Sequence, residues 1–218
     1  GLEAAPEGLT PDQVPDAFRQ LRPWVHHGWE MVLLAAELPV LNLQDWLQSY
    51  GDAQASALQR RGWQPEQLQA ALDDARDQAV QQNRSAWLAL HRPFPGLVER
   101  LQQLEAEGVD WSVLTTKTQA FTAELLNSLG LHPWRLDGRE AGAKPQVLIQ
   151  LQQDRRLCGF VEDRRATLEA VRSTPGLGKL PCFLVSWGYL RPQDHSDLPP
   201  GIVLLHPNRF RAPLAQWP

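Results

Sequence analysis

Three places in the chain put chemically useful side chains directly after apolar runs. Thr115 closes Trp111-Ser112-Val113-Leu114, Lys144 stands before Pro145 at the start of a helical pattern, and Glu162-Asp163 closes Leu157–Val161. In an open parallel sheet, ligands bind beyond the carboxyl ends of the strands, so these are the first positions to weigh. A threonine hydroxyl there donates to an anionic oxygen, although a threonine is also an ordinary helix cap. A lysine at a helix N-terminus opposes the helix dipole, which favours anions, so its placement suggests an anion shared between ammonium and helix. An ordinary surface lysine is the plainer reading of Lys144 taken alone. Adjacent carboxylates suit a hard cation such as Mg²⁺, and also occur in solvated turns. The three together are more specific than any one: a hydroxyl, a cation and a carboxylate pair leave successive strand or loop ends in that chain order.

The elements that must position these residues fall into two compositional halves. Up to about Leu90 the pattern is helical throughout. Trp29, Val32, Leu33 and Ala36 keep the i, i+3, i+4, i+7 spacing, and Pro39 ends that run. Asn42 is placed to cap a helix carrying Leu43, Trp46 and Leu47. After Gly62, Gln64-Pro65-Glu66 opens a long helix with Leu68, Leu72, Ala75 and Ala79 as its narrow apolar stripe. From Pro93 onward, strands alternate with helices. The strands are expected at 111–114, 134–136 (weak), 157–161, 183–185 and 202–205. The intervening helices carry Leu97, Val98, Leu101 and Leu104; Phe121, Leu125, Leu126 and Leu129; Pro145–Gln153; and Ala166–Arg172. Such alternation means right-handed crossovers and a parallel sheet. The expected organisation is an all-helical domain over 1–92 and an α/β, Rossmann-like parallel-sheet core over 93–218.

Composition narrows the partners. The chain has 218 residues, 43% of them hydrophobic and 21% charged, which is enough to bury a core without staples. A net charge of -4 with both signs mixed gives no electrostatic reason to expect nucleic acid or an anionic membrane. No apolar stretch reaches the roughly 18 residues that a membrane span needs. Cys158 and Cys182 both lie in apolar runs and are expected as buried thiols in a reducing, cytoplasmic setting. The nine tryptophans are scattered and read as packing residues. His26-His27 cannot chelate one ion from a helix, because neighbours point about 100° apart and a zinc pair needs i, i+4. The start, Gly1-Leu2-Glu3-Ala4-Ala5-Pro6, carries no Met and reads as the interior of something longer.

Taken together, these motifs resemble the haloacid-dehalogenase (HAD) superfamily over nearly the whole chain. Val113-Leu114-Thr115-Thr116-Lys117 is similar to the family's second motif, Lys144-Pro145 to its third, and Phe160-Val161-Glu162-Asp163 to its fourth. Phe94-Pro95-Gly96 looks like the return from the cap into the core. Ser186-Trp187-Gly188-Tyr189 resembles a loop of the phosphoglycolate-phosphatase-like branch, as Arg22-Pro23 and Gly28-Trp29-Glu30 resemble its helical cap. The resemblance implies a HAD core with a helical cap, and a Mg²⁺-dependent phosphatase working through an aspartyl phosphate on a small phosphorylated metabolite. It implies Thr115 and Lys144 as catalytic holders of the phosphoryl oxygens, Thr116 and Lys117 as substrate-binding neighbours, and Asp163 with Glu162 at the metal.

Two departures keep other readings open. The family's first motif, Asp-x-Asp after a hydrophobic strand, does not occur in this chain, and that strand is expected upstream of residue 1, between the strands ending at Thr115 and Asp163. The second acid of the fourth motif is also displaced, since Thr167 and Leu168 stand where it belongs and Glu169 comes one step later. A HAD-fold protein that binds a phosphorylated ligand or a partner without catalysis is therefore an alternative. A haloacid dehalogenase, which needs no Mg²⁺, is another, with the Glu162-Asp163 pair arguing against it.

Overall fold

The computed structural model describes residues 13–218, so the expected helical start at residues 1–12 lies outside the described residues. The chain divides into two compact units, with the division between Trp87 and Leu88.

The first unit is helical throughout its described residues: α1 (Asp16–Leu21), α2 (Gly28–Glu37), α3 (Leu43–Gln48), α4 (Tyr50–Arg61) and most of α5 (Pro65–Ala89). Asn42 caps α3, its side chain accepting from Gln44 N at 3.0 Å. Leu21, Val25, Leu33, Leu34, Trp46, Ala57 and Leu68 form the core, with Trp29 and Val32 packed at its margin. The inward stripe of α2 is Glu30, Leu33, Leu34 and Glu37, so two glutamates occupy the face that apolar periodicity alone assigns to hydrophobic residues. Both are satisfied. Glu30 accepts from the His27 and His26 amides at 2.9 and 3.2 Å and from the Tyr50 hydroxyl at 3.0 Å. Burial and the neighbouring Glu30 carboxylate push the Tyr50 phenol well above the usual tyrosine range. Glu37 takes Arg60 at 2.6 Å and Arg61 at 2.5 Å. These pairs tie α2 to the end of α4 and remove the cost of an unpaired buried charge.

The long helix from Pro65 is two helices in series. Asn83 has non-helical torsions, φ -156° and ψ 87°, and its side chain accepts from Ala86 N at 2.9 Å, capping the second piece. The apolar stripe read from the sequence ends at Ala79, and the polar run over residues 81–85 holds the break.

The second unit holds α6 (Leu97–Ala106), β1 (Ser112–Leu114), α7 (Gln119–Ser128), β2 (Arg135–Asp137), α8 (Lys144–Asp154), β3 (Phe160–Glu162), α9 (Arg165–Ser173), β4 (Cys182–Val185), β5 (Ile202–Leu205) and α10 (Pro207–Phe210). All strand pairing is parallel, as helical crossovers require. Among the described residues the strands form two ladders, β1-β2 and β3-β4-β5, and β1 does not pair with β3. β3 starts at Phe160 rather than Leu157, because only from Phe160 does it meet β4 in register. Cys158 therefore lies outside the strand and is exposed, contrary to the expectation of two buried thiols; Cys182, inside β4, is buried.

One face of β3-β4-β5 packs on α8 and α9 through Val147, Leu148, Leu151, Leu168, Val171, Cys182 and Leu184. Leu114, at the end of β1, packs against the same cluster and joins the two ladders to one core. The opposite face is covered by Phe183, Leu205 and Phe210, with Leu97, Trp187 and Trp217 against them. Coverage is incomplete beside the unpaired edge of β3, where the middle residue Val161 is 39% exposed.

Candidate active site

The residues singled out by position stand just beyond β1, at the start of α8 and at the end of β3, each placed there by local geometry. Thr115 N donates to Asp137 O at 3.0 Å, carrying the β1-β2 ladder one residue past the strand. Thr115 Oγ1 accepts from Lys117 N at 3.1 Å, which folds Thr115-Thr116-Lys117 into a tight turn. That bond uses a lone pair of the hydroxyl and leaves its hydrogen to donate outward. Thr118 then caps α7, accepting from Phe121 N at 3.4 Å.

The loop after β2 holds this turn from behind. Arg139 N donates to Lys117 O at 2.8 Å, and the Glu140 carboxylate accepts from Gln119 N at 3.3–3.4 Å. The approach depends on Gly138, since a Cβ there would lie 2.9 Å from Gln119 Cα and nearer still to Gln119 N. Thr116 and Lys117 are exposed, at the rim of the strand ends.

Lys144 is the first residue of α8, with Pro145 in the first turn where its missing N–H costs nothing. Its ammonium forms an ion pair with Glu162 Oε2. Glu162 is the last residue of β3, in register with Leu184, and only 8% exposed. Its second oxygen, Oε1, accepts from Asp163 N at 3.0 Å. Both oxygens are thus engaged, so Glu162 serves to hold the lysine and the turn, and the half-buried Asp163 is the better placed of the two acids to meet a cation.

Burial pushes the Glu162 carboxyl above the ordinary glutamate range, the Asp163 carboxyl adds to this, and the Lys144 ammonium opposes it. A buried acid with a raised pKa is best tolerated at low pH. Its contribution to stability is complete below the unfolded glutamate value, about 4.3, and is lost as pH rises through the folded value. Lys144→Ala removes the opposing charge. Its melting temperature is expected to fall well below that of the parent at pH 8, with the difference shrinking toward pH 5. Thermal melts at the two pH values check this, and a difference independent of pH would show that Lys144 does not neutralise Glu162.

The structure therefore brings Lys144, Glu162 and Asp163 together. Thr115, Thr116 and Lys117 stand at the end of β1 in the other ladder of the same unit. Glu169, one step past the family's second acid, is taken by Arg165 at 2.8 Å. Among the described residues no three His, Cys, Asp or Glu side chains cluster as a metal cage. Of the pair expected at the metal, Glu162 is taken by Lys144 and the Asp163 amide, and the Asp163 carboxylate alone fits Mg²⁺, which commonly takes one or two carboxylates and completes its shell with water and phosphate oxygens.

Sequence reading located the polar residues at the strand ends but missed the groups that hold them. Gly138 and Glu140 act through a close approach between loops distant in sequence, which only the Gly/Glu composition of the loop after β2 signalled.

No protein-family model matches the chain, and no curated protein matches it by sequence. Solved structures do. A haloacid-dehalogenase-like family hydrolase from Streptococcus pneumoniae is similar at 17% identity over 87% of this chain and 77% of its own, with a TM-score of 0.50. A Thermotoga maritima protein assigned as a β-phosphoglucomutase is similar at 14% identity over 89% and 87%, with a TM-score of 0.51. A Clostridium acetobutylicum protein assigned as a phosphatase is similar at 13% identity over 79% and 82%, with a TM-score of 0.50. The chain has the fold of HAD-like hydrolases, an α/β core with a helical cap.

Proposed function

We propose that this HAD-fold chain carries the phosphate-holding and cation-holding half of a phosphohydrolase site acting on a small phosphorylated metabolite. The carrying observation is the Lys144–Glu162 ion pair beside Asp163 at the carboxyl end of β3. An ammonium with one N–H on Glu162 keeps two donors for phosphoryl oxygens, and its partner prevents it from swinging away. The Thr115 hydroxyl, its acceptor side already used by Lys117 N, offers its hydrogen to the same class of oxygen. These donors are fixed before substrate arrives, so they favour the more anionic transition state without reorganising. Bound Mg²⁺, held by Asp163, would supply further neutralisation of phosphoryl charge.

The reading needs a nucleophilic aspartate, and this chain has no Asp-x-Asp after a strand. Among the described residues β1 and β3 each pair on one side only, and an Asp-x-Asp strand pairing with both would bring its carboxylates to the ends where Thr115 and Asp163 stand. Cytoplasmic placement remains an expectation; among the described residues no helix is long and apolar enough to cross a membrane.

Asp163→Asn tests the assignment. It keeps the size of the side chain and removes the charge that would hold Mg²⁺. With an Asp-x-Asp strand supplied, the variant is expected to need at least about tenfold more Mg²⁺ for half-maximal hydrolysis, in line with the usual cost of altering a metal site. An unchanged Mg²⁺ dependence would remove Asp163 from the cation site. The alternative of a non-catalytic binding protein is favoured by Thr167 in place of an acid and by the engagement of Glu169 with Arg165. It predicts phosphate binding without turnover.

A further inference from the structure

The loop after β4 comes to rest on Asp163. Gly188 N donates to Val185 O at 3.4 Å and Leu190 N to Gly188 O at 3.0 Å, so the chain turns back tightly just beyond the strand. A Cβ built at Gly188 would stand 3.3 Å from Asp163 Cα, 3.4 Å from Val185 Cγ2, and closer still to Asp163 Cβ, well inside contact distance. The torsions of Gly188 are ones that other residues adopt, so backbone conformation does not require glycine there. The absence of a side chain is what lets the loop touch the acid.

We propose that Gly188 is a positioning residue for Asp163: by presenting bare backbone it seats the β4 loop against the root of that side chain and fixes the direction in which the carboxylate points. This rests on the reading of Asp163 as the cation-holding acid. With the loop in contact with both Cα and Cβ of Asp163, the side chain is limited on the loop side and directed away from it. A methyl group at 188 has two ways out. The loop can retreat, which Val185 resists as a buried residue of β4, or Asp163 can shift. Either displaces the carboxylate relative to the Lys144–Glu162 pair. Gly188 has no side chain to offer a substrate or cation, so its effect is expected to pass through Asp163.

The test compares Gly188→Ala with Gly159→Ala. Gly159 precedes the opposite end of β3, where a Cβ would lie 2.7 Å from Phe183 Cε2, so its alanine variant imposes a similar packing clash away from the strand's carboxyl end. Mn²⁺ binding to the protein, followed by the electron paramagnetic resonance of free Mn²⁺, provides a readout independent of turnover. Gly188→Ala is expected to weaken Mn²⁺ binding by about tenfold or more, as loss of a supporting contact around a metal ligand does. Gly159→Ala is expected to lower the melting temperature with Mn²⁺ affinity unchanged. Parental affinity in Gly188→Ala, or equal losses in both variants, would overturn the positioning role. Failure of Gly188→Ala to fold while Gly159→Ala folds would also overturn it, by showing a general packing role. A parent protein that binds no Mn²⁺ would instead overturn the assignment of Asp163 itself.

Discussion

In the protein supplied with an Asp-x-Asp strand, Lys144→Ala is expected to lower phosphate-ester hydrolysis by about 10²–10³ in kcat, the usual cost of removing one preorganised charge-stabilising donor. The size follows from the position of the side chain. Its ammonium is held by a buried carboxylate at the end of β3, so it meets developing phosphoryl charge without first giving up a mobile solvent shell. Substrate binding should suffer less than turnover, because the interaction strengthens as charge accumulates. Lys144→Arg keeps the charge but not the compact geometry, and is expected to recover only part of the rate. Steady-state kinetics at saturating Mg²⁺ check both. Unchanged turnover in Lys144→Ala would remove the lysine from the mechanism.

The second large effect concerns the sheet. A strand of four or five apolar residues ending in Asp-x-Asp, joined to the chain or added as a peptide, is expected to raise its melting temperature by about 10 °C or more. Among the described residues the outer edges of β1 and β3 are unpaired, and both would take it. Ladder hydrogen bonds contribute about 0.5–1.5 kcal/mol each. Covering the half-buried Val113 and Leu114 and the 39%-exposed Val161 adds apolar burial. A total of roughly 5 kcal/mol corresponds to a shift of about 10–20 °C for a chain of this size. Water reaches the β3 edge at Val161, so the edges are not sealed, unsatisfied surfaces. The expected state of the 24.6 kDa chain alone is a weakly stable or self-associating one rather than no fold at all. Circular-dichroism melts with sedimentation velocity check this. A cooperative, monomeric melt of the 24.6 kDa chain that is indifferent to the added strand would contradict it.

The sequence showed those features whose cause is local. Thr115, Lys144 and Glu162-Asp163 were legible because each follows an apolar run in a strand–helix alternation, and the parallel topology places strand ends on one side. The helical nature of residues 13–89 was legible from apolar spacing and from caps such as Asn42. Features settled by distant partners were not legible. Glu30 and Glu37 look like surface residues until Tyr50, Arg60 and Arg61 are brought to them. The break at Asn83 was not legible because the run around it, polar like the rest of that helix's solvated face, holds no glycine or proline to mark it. Cys158 looked buried because its neighbours are apolar, yet the ladder with β4 begins two residues later. The division of labour between Glu162 and Asp163 required knowing where the Lys144 ammonium goes. The seats provided by Gly138 and Gly188 required knowing which loops touch.

The most direct measurement of the account is hydrolysis of para-nitrophenyl phosphate by the protein with an Asp-x-Asp strand joined to it, assayed with Mg²⁺ and again after chelation by EDTA. The account predicts turnover that depends on Mg²⁺, is abolished by replacing the first aspartate of the added strand, and drops by about 10²–10³ in Lys144→Ala. Turnover that persists in EDTA, or that is indifferent to that aspartate and to Lys144, would contradict it.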